Sequence, residues 1–150
     1  PAGLNRIKGY VGKSGPVSSW KEAIEQARQI NEVAFPDFSD QEWEDFTRGI
    51  YREENGVPVL AYDPAISQPM NDDDSSAVPA DLWPLFDAIT GIPMLVIRGA
   101  SSDILAPGCV AAMREKKPDL AVAEIAHRGH APTLNEPSSR MAIDEFLASL

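Results

Sequence analysis

The sequence predicts an α/β fold, and three observations in its second half predict it. Pro93-Met94-Leu95-Val96-Ile97 is a short continuous apolar run, the pattern of a strand buried on both faces of a parallel sheet. Ala121 to Ile125 is a second such run. Helical stretches precede, separate and follow the two. The order helix, strand, helix, strand, helix implies parallel strands joined by right-handed crossovers.

Residues 1–78 carry helical and aromatic patterns and no convincing buried strand. Ser19 and Glu22 form a capping-box pattern. Behind it Trp20, Ala23, Ile24, Ala27 and Ile30 recur at helical spacing on one apolar face. A second helix is expected from Ser39, with Glu42 in the same relation, Trp43, Phe46 and Ile50 on one face, and Asn55-Gly56 as its stop. Pro36-Asp37 joins the pair. Val57 to Tyr62 reads as a short extended segment. The polar run Asn71-Asp72-Asp73-Asp74-Ser75-Ser76 reads as a solvated loop at the boundary, without the ligand spacing of a calcium loop.

In residues 79–150, Asp81 to Ile89 reads as a helix with Pro84 near its first turn and Gly91 at its stop. Pro107 opens a helix that runs through Lys117, with Lys116 and Lys117 suited to its C-terminal end. Pro137 begins a last helix whose Met141, Ile143, Phe146, Leu147 and Leu150 are expected to form its apolar face.

The bulk numbers exclude several function classes. A formal net charge of -10 argues against nucleic acid and anionic membrane as partners. No apolar run approaches the ~20 residues that cross a bilayer. The single cysteine, Cys109, forms no internal disulfide and fits a reducing compartment. One Cys and two His offer no ligand cluster, so no metal is expected. The start, Pro1-Ala2-Gly3-Leu4, has no secretory pattern and no Met, which reads as a cut end; a cytoplasmic location is expected.

Two ionisable residues stand where chemistry gathers in open parallel sheets, beyond the carboxyl ends of the strands. Asp103 lies in the loop after the first apolar run, in Arg98-Gly99-Ala100-Ser101-Ser102-Asp103-Ile104-Leu105. His130 lies in the equivalent loop after the second, in Gly129-His130-Ala131-Pro132-Thr133-Leu134-Asn135-Glu136-Pro137. Adjacent parallel strands would set these loops side by side. A carboxylate beside an imidazole can fix its tautomer and stabilise its protonated form. Gly99 and Gly129 allow the sharp turns such loops require.

Residues 79–150 thereby resemble the C-terminal part of an α/β hydrolase, and residues 1–78 resemble the helical cap which that family inserts after its sixth strand. The resemblance implies a triad in the order nucleophile, acid, histidine, with Asp103 as the acid and His130 as the base. It also implies hydrolysis of an ester, lactone or related bond in a small, mostly apolar molecule, with no organic cofactor. No Gly-x-Ser-x-Gly occurs in the chain, so the nucleophile is expected outside it, and the chain alone is expected to be inactive. Ser14, Ser101 and Ser102 are the near candidates, and Ser14 lacks the strand-turn-helix setting of a nucleophile elbow. The rival is a non-catalytic interaction or regulatory domain derived from a hydrolase.

Other residues are read more plainly. His127 is an exposed neighbour, and Cys109 is a helix-packing residue. Glu136 supports the start of the last helix, where the dipole favours a carboxylate. Trp20, Phe35, Trp43 and Phe46 are core, with one or two free to face substrate if residues 1–78 are a cap. An unpaired outer edge of the first strand, with a missing N-terminal hydrolase segment as its partner, predicts self-association of the isolated chain.

Overall fold

The structure is a computed structural model that describes residues 7, 9, 14–63, 65, 81–89 and 91–150. The chain divides into two compact units, Pro1–Ser75 and Ser76–Leu150. The acidic run 71–76 lies outside the described residues.

In the first unit, helix α1 spans Trp20–Asn31 and α2 spans Asp40–Ile50. Each begins where its capping residue predicts. The Ser19 hydroxyl accepts from the Glu22 N–H, and Ser39 with Glu42 forms a complete capping box. The helices pack on each other. Phe35 and Trp43 are buried together, with Phe38 and Phe46 around them at ring separations of 4.5–6.3 Å. Trp20 is half-buried; its indole N–H donates to Glu53, and the Arg48 guanidinium lies over its ring.

This unit also holds a strand pair that its sequence reading lacks. Strands β1 (Tyr51–Glu54) and β2 (Val57–Leu60) form an antiparallel hairpin. Asn55-Gly56 is its two-residue turn, not the stop of α2, which ends at Ile50. Asn55 at φ 53° and Gly56 at φ 81° give a turn whose twist matches that of paired strands. Tyr51 and Pro58 are buried, with Tyr51 joining Val17 and Ala23 in a small core.

In the second unit, α3 is only the short helix Trp83–Asp87. It starts two residues later than expected, after a turn in which the Asp81 carboxylate accepts from the Trp83 N–H, and Pro84 falls within its first turn. Strand β3 is Leu95–Gly99, displaced by two residues from the apolar run 93–97 so that it takes in Arg98 and Gly99. Helix α4 is Pro107–Lys116, strand β4 is Ala121–Ile125, and helix α5 is Pro137–Ala148. Strands β3 and β4 pair in parallel, from Leu95 opposite Ala121 to Gly99 opposite Ile125. Helix α5 packs on both strands. Its inner face is Ser139, Ala142, Ile143 and Phe146, whereas Met141, Leu147 and Leu150 of the expected face are exposed. The Glu136 anchor described below turns buried Ser139 inward, and the helical period then carries 142, 143 and 146 with it.

Leu95, Val96 and Ile97 are half-buried rather than enclosed. Among the described residues β3 has one strand partner, β4, so a sheet of two strands leaves an edge on each side. Leu82, Leu85 and Ile92 of the same unit are also exposed. The isolated chain is therefore expected to self-associate. Light scattering over a concentration series checks this: a mass that rises with concentration is the expected result, and the mass of one chain throughout, with a sharp unfolding transition, is the contrary one.

Candidate active site

The site is built at the carboxyl ends of β3 and β4. Parallel register puts Gly99 opposite Ile125, so the following loops leave the same edge at the same level. Backbone hydrogen bonds then join them. The Ala100 N–H donates to the Ile125 carbonyl at 2.9 Å, and the Ser101 N–H donates to the Arg128 carbonyl at 2.9 Å. The approach is so close that a Cβ on Gly99 would stand 2.1 Å from the Gly129 carbonyl oxygen. Only glycine fits there.

The loop that carries Asp103 is held from beneath by Arg98. This guanidinium is buried although it ends a strand. It donates to the carbonyls of Leu105 at 2.7 Å and Ala100 at 3.2 Å, and it pairs at 2.6 Å with Glu124, its cross-strand neighbour. The Ser102 hydroxyl is also buried and accepts from the N–H groups of Ile104 and Leu105. Ser102 is thus a loop staple.

The loop that carries His130 is held by Glu136. Its Oε1 accepts from Arg128 Nε at 2.9 Å and from the Thr133 N–H at 3.0 Å, while Oε2 accepts from the Ser139 hydroxyl at 2.9 Å. Glu136 and Arg128 are both buried. Burial alone would raise the pKa of Glu136. Hydrogen bonds from its own N–H, from the Thr133 N–H and from the hydroxyls of Ser139 and Thr133 outweigh that and hold it at about 2, against an ordinary 4.5. Glu136 therefore does more than support the start of α5.

The structure brings together the loops bearing Asp103 and His130, and both side chains are exposed at the sheet edge. His127 is exposed as well, with φ 56°. Ser14 lies in irregular chain ahead of α1. Cys109 is a half-buried free thiol in the first turn of α4. Among the described residues, no three His, Cys, Asp or Glu side chains gather as a metal site. No described helix is long and apolar enough to cross a membrane. A cleft of about 330 Å³ lined by Phe86, Lys116, Lys117 and Asp119 sits by the segment leading into β4, at the opposite strand ends from Asp103 and His130.

Sequence reading missed the two buried arginines. Their signal was present: Arg98 interrupts the end of an apolar strand, and Arg128 stands directly before the Gly-His pair.

Comparison with known proteins places this fold. A crystal structure of an α/β hydrolase from Novosphingobium aromaticivorans matches with a TM-score of 0.87 and 34% identity, over 100% of this chain and 53% of that one. The 3-hydroxybutyrate-oligomer hydrolase of Cupriavidus necator is 29% identical over 97% of this chain and 52% of its own length. A structure described as a putative hydrolase from Rickettsia typhi shares the fold, with a TM-score of 0.80 and 24% identity over 99% of this chain and 49% of that one. No protein-family model matches. The chain has the fold of the C-terminal portion of an α/β hydrolase. It spans about half the length of the relatives it matches.

The low pKa of Glu136 makes stability depend on pH. A carboxyl that falls from 4.5 to about 2 on folding contributes roughly 3 kcal/mol when ionised. That stability is fully present above the unfolded value of 4.5 and is lost as pH falls from there to about 2. Glu136→Gln is expected to lose about this much at pH 7 and to flatten the acid limb between pH 4.5 and 2. Denaturant melts at a series of pH values check both; a variant with an unchanged acid limb would contradict the assignment.

Proposed function

We propose that this chain supplies the acid–base half of an α/β-hydrolase active site. His130 accepts the proton of a nucleophile contributed from outside the described residues, a serine hydroxyl, or activates water on a covalent intermediate where the nucleophile is an aspartate. It later returns the proton to the leaving group. Asp103 accepts from the other imidazole N–H, fixes the tautomer and offsets the charge of the imidazolium. The observation that supports this reading is the stitching of the two loops at the ends of paired parallel strands, which sets the loops of Asp103 and His130 on one edge.

The proposed bond is an ester or lactone of a small, mostly apolar molecule. The relative that hydrolyses 3-hydroxybutyrate oligomers favours a carboxylic ester. On the same resemblance, residues 1–78 are proposed as the cap-like part, 79–150 as the C-terminal part of the hydrolase core, and the cytoplasm as the location.

Asp103→Asn and His130→Ala in the full-length protein are each expected to lower kcat on an activated ester on the order of 10³-fold or more, with folding kept. The isolated chain is expected to show no turnover above buffer, since His130 then has no nucleophile to activate. Stopped-flow or plate assays with p-nitrophenyl acetate read all three. Variants within a few-fold of wild type would remove the acid–base assignment.

A further inference from the structure

We propose that Arg128 and Glu136 are a positioning pair that sets His130 against Asp103, an inference that rests on the acid–base reading above. The pair brackets the His130 turn. Arg128 stands two residues before His130, and its guanidinium donates through Nε to Glu136 Oε1 at 2.9 Å. Thr133 stands three residues after His130, and both its N–H and its hydroxyl donate to the same oxygen, at 3.0 and 3.1 Å. One carboxylate oxygen thus gathers both ends of the segment 129–132. The other oxygen is anchored on the sheet-packed helix α5 through the fully buried Ser139.

The same residue reaches the acid side. The Arg128 carbonyl accepts from the Ser101 N–H at 2.9 Å, two residues from Asp103, and lies against Gly99. The guanidinium also donates to the His127 carbonyl at 2.7 Å, which fixes the direction of entry into the turn. A displacement at Arg128 therefore moves the base loop relative to the acid loop.

Compared with a well-packed apolar pair of the same volume, a buried ion pair gains little net stability, because its desolvation roughly cancels its attraction. What such a pair provides is direction: planar donors and a planar acceptor fix each other in orientation. A base that must hold its proton path to within a few tenths of an ångström is where that direction has value, since a small misplacement can cost as much as ~100-fold in rate.

The two ends of the anchor separate positioning from simple stability. The Thr133 hydroxyl ties the turn, whereas the Ser139 hydroxyl ties the helix. Thr133→Val, Ser139→Ala and Glu136→Gln are compared in the full-length protein with p-nitrophenyl acetate, with Asp103→Asn and His130→Ala alongside and the melting temperature read for each. Thr133→Val is expected to lower kcat about 10-fold with KM unchanged and to displace the His130 limb of the pH–rate profile, and Ser139→Ala to stay within about 2-fold despite a comparable fall in melting temperature. Glu136→Gln is expected to lose on the order of 100-fold in kcat. Should Glu136→Gln fail to fold, the Thr133 and Ser139 comparison decides. Equal effects of Thr133→Val and Ser139→Ala on kcat, or losses that track melting temperature alone, overturn the positioning role. Full activity in Asp103→Asn and His130→Ala overturns the acid–base reading itself, and the positioning role with it.

Discussion

The candidate site depends on how closely two stretches of backbone approach at the carboxyl ends of β3 and β4. Gly99 meets Arg128 and Gly129 with no room for a side chain between them. That contact is possible because parallel register aligns Gly99 with Ile125, and it is fixed by hydrogen bonds from Ala100 and Ser101. A residue with a Cβ at 99 would push the base loop away from the acid loop. The constraint thus lies in the main chain, and the candidate side chains Asp103 and His130 are carried on it.

Buried charge does the remaining work. Loops full of carbonyls cannot be held by apolar packing, because their polar groups need partners. Arg98 meets this need on the acid side, spending its donors on Ala100, Leu105 and Glu124. Glu136 meets it on the base side, where Arg128, Thr133 and Ser139 all converge on one carboxylate. Each buried charge faces an opposite charge and several hydrogen bonds, which is the condition under which a charge can leave water. The result is two exposed candidate side chains, Asp103 and His130, on loops whose undersides are braced by hydrogen bonds.

Much of this was legible beforehand, and the reasons can be read residue by residue. Ser19 and Ser39 announce their helices because capping is local chemistry that needs no tertiary partner. Ala121–Ile125 and Pro107–Lys116 appear where their patterns place them. The Gly-His-x-Pro run and the Gly-x-x-Ser-Asp run mark the two loops, and the sheet does set those loops on one edge. Asn55-Gly56 misled because the same pair ends helices and turns hairpins, and what distinguishes these uses is the strand pairing that follows it.

The sequence determined the α/β class, the order of elements in residues 79–150 and the chain positions of Asp103 and His130, because those follow from periodicity, capping and spacing along the chain. Tertiary structure alone decided the hairpin at 51–60, the inner face of α5, and the brace of Arg98, Arg128 and Glu136. These rest on pairings made across a turn or between strands, or on which side of an element is turned inward. A charged residue shows nothing of its burial until the partner that compensates it is brought beside it.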